Sequence, residues 1–317
     1  MITNTQKTIR IISFIIVIGL ITVILVACSS TAIRARGDDN VISISKESIP
    51  MSVPQASEIA RAVFENGENI NISPIEKGII TVNCNLIGKG IIGIRADVAV
   101  ANKMKVKVSK EGIDVYYNII PYKTIKIPMQ MGNGRYVLEL YENISGTNYR
   151  QFYHEELDIN LSDPNSVFLY SNQVVDFENK GKTKELAVSL TKGAKTDAGK
   201  VKAIYEYVIS HILYDYDKIY SIDTGYIPDV DVILTSSKGI CYDYAAVMAA
   251  MLREAGVPAK LDKGYRSDNM NYHAWNEVWI NGQWVTVDAT FDATARQIGQ
   301  VYTMEKDPDI YKVEKVF

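Results

Sequence analysis

Cysteine and histidine are scarce in this 317-residue chain, with three of each. That scarcity excludes a disulfide-built scaffold, which needs several paired cysteines, and lets every thiol and imidazole be accounted for singly. Excess positive charge is missing too. With 34 Lys and Arg against 37 Asp and Glu the net charge is −3, so nothing argues for a nucleic-acid partner. Low-complexity runs are absent, and 47% hydrophobic with 22% charged residues is the composition of a folded chain. No Asp-rich loop of the EF-hand pattern is present, so no calcium requirement and no other cofactor is assigned. Tyrosine, by contrast, is plentiful: 20 against 7 phenylalanines. That excess reads as a feature of half-buried strands and wet surfaces.

The long hydrophobic run is at the N-terminus. Lys7 and Arg10 precede an almost wholly apolar stretch from Ile11 to Val26, which closes on Leu25-Val26-Ala27-Cys28. A positive flank, an apolar core and small residues before a cleavage point describe a secretory signal. Cysteine directly after Leu-Val-Ala resembles a bacterial lipobox, which implies removal of residues 1–27 and lipidation of Cys28. The alternative is an uncleaved signal anchor, since about 17 apolar residues just span a bilayer. Either way the remaining chain is expected on the extracellular side of the cell membrane, in the first case held by a lipid anchor. Residues 28–55 are polar and aperiodic and read as a tether.

From 56 to 175 the pattern is mainly period two. Lys103-Met104-Lys105-Val106-Lys107-Val108 alternates lysines with apolar residues, and Tyr136–Tyr141 follows the turn Gly132-Asn133-Gly134. These runs predict a small antiparallel β-sandwich-like domain with no evident chemistry. Asp163-Pro164-Asn165 and the polar stretch from Glu178 to Lys200 read as the crossing into a second domain over 176–317. There Val201, Ile204, Tyr205, Val208 and Ile212 fall at helical spacing, so an amphipathic helix is expected to end near His211. A loop over Asp215–Val230 precedes a helix from Cys241 to Ala255, stopped by Gly256 and Pro258. Strands are expected around Ala259–Tyr265, His273–Ile280 and Gln283–Asp288, the last two joined by an Asn281-Gly282 hairpin. Helices first and an antiparallel sheet after them make this an α+β domain.

Cys84 ends an apolar strand-like run far from Cys241, so a small buried hydrophobe suits it better than a disulfide. Cys241 opens a helix after Lys238-Gly239-Ile240. Free backbone N–H groups and the helix dipole there favour negative charge on sulfur. Gly239 would let the chain turn sharply and leave room for a substrate. Of the histidines, His154 reads as a surface residue and His211 as a cation near a helix C-terminus. His273 sits in the aromatic strand Asn271–Trp279. Asp288 ends the return strand of the hairpin and should come back towards His273, where a carboxylate orients an imidazole. Asp292, four residues on, is the competing carboxylate and reads as a loop or capping residue.

The stretch from Gly239 to Asp292 resembles the transglutaminase-like cysteine enzymes, relatives of the papain-like fold. Matching segments are Gly239-Ile240-Cys241 with Tyr244-Ala245, His273-Ala274-Trp275, and Trp284–Asp288 with Thr290-Phe291-Asp292; upstream, Ile204–Val208 and Tyr214-Asp215-Tyr216 also fit. The resemblance covers roughly residues 195–305. It implies a papain-like, transglutaminase-core fold with Cys241 as nucleophile, His273 as general base then acid, and Asp288 as its orienter. It also implies acyl transfer on protein or peptide carboxamides through a thioester, by cross-linking or deamidation. Gly239, Trp275 and Tyr244 are candidates for the substrate channel, although Trp275 and Trp279 read equally as core aromatics. A cysteine peptidase or amidase acting on proteins or cell-wall peptides is the alternative on the same fold. A catalytically silent binding module is the third reading, against which the intact triad argues.

Overall fold

The computed structural model describes residues 43–44, 69–72, 79–97, 103–223, 225–268 and 270–317. The expected signal segment, Cys28 and nearly all of the tether lie outside them. No helix among the described residues is long and apolar enough to cross a membrane.

Alternating residues build the first unit. Its strands are β1 (Ser43–Ile44), β2 (Asn69–Ile72), β3 (Ile79–Asn83), β4 (Ile91–Asp97) and β5 (Met104–Lys110). They continue as β6 (Ile113–Ile119), β7 (Thr124–Pro128), β8 (Gly134–Ser145) and β9 (Asn148–Ile159). One sheet runs β1-β9-β8-β5-β6 and the other β2-β3-β4-β7. All pairings are antiparallel except β1 with β9. Ile80, Val82, Ile92 and Ile94 of one sheet share a core with Val106, Leu138 and Leu140 of the other. Burying such β-branched and leucine side chains contributes about 1.5–3 kcal/mol each. Cys84 lies in this core as a free thiol, and burial pushes it up to about 12. The turn before β8 is held by Asn133, whose side chain exchanges hydrogen bonds with the Leu161 backbone at 2.8 and 2.9 Å.

Core membership passes from Phe168 in the β unit to Val174 in the helical unit. The polar stretch expected to be a crossing folds instead into α1 (Gly181–Thr191) and the start of α2 (Asp197–His211). Its N-terminus is capped from a distance. Asp231 accepts from the Thr183 N–H at 2.9 Å and the Thr183 hydroxyl at 2.6 Å. A cap 48 residues away leaves no local signature. β10 (Leu213–Tyr214) pairs in parallel with β11 (Lys238–Gly239), and between them α3 (Val230–Ser236) begins where the expected loop over 215–230 ends.

Then come α4 (Cys241–Glu254), β12 (Ala259–Arg266), β13 (Tyr272–Ile280), β14 (Gln283–Val287), α5 (Ala289–Gln297) and β15 (Tyr311–Val316). The sheet order is β14-β13-β12-β15, all antiparallel. β15 and α5 go beyond the strands expected from sequence. Asn281 and Gly282 both take positive φ, 54° and 82°, as a two-residue hairpin turn requires. α4 is buried from Asp243 to Arg253, so it is the central helix of the unit. Alanines 245, 246, 249 and 250 let neighbours approach it closely. Buried Asn276 ties the sheet to it, donating to Ala245 O at 2.9 Å and to Lys260 O at 2.8 Å. Gly264 is required where β12 meets β15, because a Cβ there would lie 2.0 Å from Lys312 O.

The tyrosine excess is not confined to sheets and surface. Tyr205 on α2 and Tyr244 on α4 are fully buried, each with its hydroxyl bonded, to Asp292 at 2.7 Å and to Ile212 O at 2.5 Å. A buried phenol is tolerated when its O–H has a partner.

Candidate active site

Cys241 occupies the first position of α4, where backbone N–H groups have no intrahelical acceptor. The turn into it is set by Asp243, two residues later. Asp243 is fully buried and its Oδ2 accepts from the Ile240 N–H at 2.9 Å. The same carboxylate takes Lys218 Nζ at 2.6 Å and the Tyr226 hydroxyl at 2.6 Å, both from the long loop before α3. Gly239 is needed for this packing: a Cβ would fall 2.6 Å from Asp243 Cβ. Its missing side chain makes room for Asp243 rather than for substrate, and its φ is not in the left-handed region.

His273 stands on β13 with its side chain 13% exposed, and its Nε2 is 2.8 Å from Asp288 Oδ2. Because Nε2 is engaged by the carboxylate, Nδ1 is the nitrogen left for the thiol. The β13–β14 register pairs Asn276 with Val287, which carries Asp288 back alongside the start of β13. Asp288 is fully buried and also caps α5, its Oδ1 accepting from the Phe291 N–H at 3.0 Å. Two further donors flank Oδ2: the Tyr311 hydroxyl at 3.0 Å and Arg266 Nη1 at 3.5 Å.

Burial disfavours a charged imidazole, but the Asp288 carboxylate and the neighbouring Cys241 sulfur outweigh it and push His273 up to about 10. Burial likewise opposes ionisation of Asp288. His273, the Phe291 amide and Arg266 overcome it and hold Asp288 down at about 2. Each partner thus favours the other's charged form, and the Cys241 sulfur adjoins the imidazole.

Other residues singled out in the sequence sit elsewhere. Tyr244 is sealed in the core, and Trp275 is buried between His273 and Tyr311, so neither faces a channel. Asp292 is not a loop or capping residue: it is buried in α5, bonded to Tyr205 and 2.5 Å from Lys306 Nζ. Burial raises its carboxyl against the pull of those two donors. His154 is half-exposed beside Glu139, and His211 stacks on Tyr207 at the exposed end of α2. Sequence reasoning missed Asp243, Lys218, Tyr226, Arg266 and Tyr311. Only Asp243 carries a local signal, an acidic residue three places after Ile240. Among the described residues no cluster of three His, Cys, Asp or Glu side chains is placed to hold a metal ion.

Residues 184–289 match the profile of the transglutaminase-like superfamily. Kyphoscoliosis peptidase of Homo sapiens is 30% identical over 148 residues, 43% of this chain and 22% of that protein. The protein-glutamine gamma-glutamyltransferase of Pseudomonas aeruginosa is 34% identical over 83 residues, 22% of this chain and 12% of that protein. The chain thus spans a quarter or less of the length of these relatives. Among solved structures, red sea bream transglutaminase aligns at 13% identity and a TM-score of 0.28, covering 63% of this chain and 48% of that one. A cysteine-protease candidate from Cytophaga hutchinsonii aligns at 16% identity and a TM-score of 0.37, covering 78% and 79%. The helices and sheet around Cys241, His273 and Asp288 are a transglutaminase-like domain behind a β-rich N-terminal unit.

Proposed function

We propose that this protein is an extracytoplasmic cysteine acyltransferase acting on protein or peptide carboxamides. The observation that carries this reading is the line of Cys241 at a helix start, His273, and buried Asp288 2.8 Å from the imidazole. In the first half-reaction the Cys241 thiolate attacks the carbonyl carbon. The resulting oxyanion is met by first-turn donors including the Cys241 N–H, a type of contact worth about 3 kcal/mol. Imidazolium His273 gives its proton to the departing amine, leaving a thioester and a neutral imidazole. In the second half, His273 takes a proton from an incoming amine as that amine attacks the thioester carbonyl. The amide forms, and sulfur leaves as thiolate. Asp288 holds the ring's orientation throughout.

Similarity to the Pseudomonas aeruginosa glutamyltransferase supports an amine acceptor, and similarity to kyphoscoliosis peptidase supports water as the second reading. The pattern from Lys7 to Cys28 supports placement outside the cell membrane on a lipid anchor, with cell-wall peptides within reach. The test is mass spectrometry of glutamine-containing and cell-wall peptides incubated with the protein and a primary amine. Amine adducts support transfer, and deamidation or cleavage supports the hydrolytic reading. Unchanged peptides together with an unreactive Cys241 overturn both in favour of a silent binding module.

A further inference from the structure

The profile match ends at residue 289, yet one of the donors on Asp288 comes from the last strand of the chain. Tyr311 is buried on β15 with its ring 5.0 Å from Trp275, and its hydroxyl donates to Oδ2, the oxygen that also faces His273. The Arg266 guanidinium lies between the rings of Phe291, at 4.4 Å, and Tyr311, at 5.4 Å, with Asp268 on its outer side. Cys241 of α4, Arg266 of β12 and the α5 amide of Phe291 complete the groups around the pair, and Asp292 with its partner Lys306 forms the next layer.

A phenylalanine at 311 would fill the space beside Trp275 as well as a tyrosine does. What the hydroxyl adds is a proton donated to one carboxylate oxygen. Burial and the adjacent Asp288 charge hold the phenol far above its ordinary range, so it remains a donor wherever the protein is folded.

We propose that Tyr311 is a positioning residue that shares the Asp288 carboxylate with His273 and weakens that carboxylate's hold on the imidazolium proton. The inference rests on reading Cys241, His273 and Asp288 as the catalytic groups. Its chemical logic is direct. A carboxylate that has only His273 to satisfy grips the imidazolium most strongly, and a general acid must release its proton to the leaving amine. Each additional donor to Oδ2 disperses the charge and lowers that grip.

The experiment is a histidine ring titration by NMR on the full chain labelled with ¹⁵N-histidine. His154 and His211, whose ring partners lie outside the Asp288 group, serve as references. In Tyr311→Phe the His273 midpoint moves up by about half to one pH unit, as the Asp288 charge that the lost donor had dispersed returns to the imidazolium. Incorporation of a fluorinated, more acidic tyrosine at 311 moves it down. This second variant keeps the hydroxyl and its packing, so the proposal stays testable if Tyr311→Phe folds poorly. An unchanged His273 midpoint in the folded variants overturns the proposal. Iodoacetamide labelling of Cys241 in the same samples separates the two readings. Labelling indifferent to His273→Ala sinks the catalytic reading, whereas labelling that needs His273 beside an immobile midpoint sinks only the role of Tyr311.

Discussion

At the scale of the residue, the site depends on charges kept where water cannot stabilise them. Asp288 is fully buried, so removing His273 takes away its nearest cationic partner and leaves the anion to Arg266, the Tyr311 hydroxyl and the Phe291 N–H. His273→Ala is expected to slow alkylation of Cys241 by iodoacetamide about a hundredfold at neutral pH; equal rates in variant and parent would contradict it. The same pair makes stability depend on pH. His273 is raised in the folded state to about 10, so its contribution is complete below about pH 6.5 and is lost as pH climbs through about 10. Asp288 is lowered to about 2, so its contribution is present above about pH 4 and is lost on acidification towards 2. Urea titrations at pH 4, 7 and 10 should therefore show an alkaline loss that His273→Gln abolishes. Asp262 works the other way. Both its oxygens are buried on β12 without a hydrogen-bond partner among the described residues, near Arg253, Lys260 and Glu277, and burial raises its carboxyl well above the ordinary range. Its penalty is absent below about pH 4 and grows as pH rises. Asp262→Asn should thus melt progressively higher than the parent between pH 5 and 8, and a gap that does not widen would count against this account.

Elements show where local pattern suffices and where it does not. β5 follows from alternation, its burial repeating every second residue, and the Asn281-Gly282 hairpin from its turn residues, whereas in β8 Leu138 to Tyr141 are all buried. α2 follows from the 3.6-residue spacing of Val201, Ile204, Tyr205 and Val208. α1 does not, since only Thr183 and Ala187 of its length are fully buried. Its start is held by Asp231 on α3, which reaches the Thr183 amide and hydroxyl. Asp231→Ala should cost about 1–2 kcal/mol, the value of a good N-terminal cap, and hydrogen exchange should quicken in α1 before α2. Gly239 belongs to the same scale. It reads as room for a substrate, but the structure gives that room to Asp243, which ties the loop bearing Lys218 and Tyr226 to the start of α4.

Over the whole molecule, the two units are joined by polar groups that find backbone partners across the seam. Arg253 on α4 is buried and donates to the carbonyls of Ala259 at 2.9 Å, Tyr170 at 2.8 Å and Phe317 at 2.9 Å. Burial draws its guanidinium down to about 9. Gln173 bridges to Asn118 of β6, and Gln130 donates to Val316 O on β15. Arg253→Ala strands buried carbonyls and should destabilise the protein by roughly 3 kcal/mol. Calorimetry is expected to resolve the helical unit melting ahead of the β unit, and a single unshifted transition would refute this. The sequence alone determined the order of the two units, the period of most strands, the helix opening at Cys241 and the hairpin that returns Asp288 to His273. These rest on neighbours a few residues apart, whose spacing is written along the chain. Only the tertiary structure decided that Tyr311 and Arg266 flank the carboxylate, that Asp243 shapes the approach to Cys241, and that Trp275 and Tyr244 are core rather than channel. Those outcomes depend on which distant side chains meet once α4 and the sheet have packed, and spacing along the chain does not record that meeting.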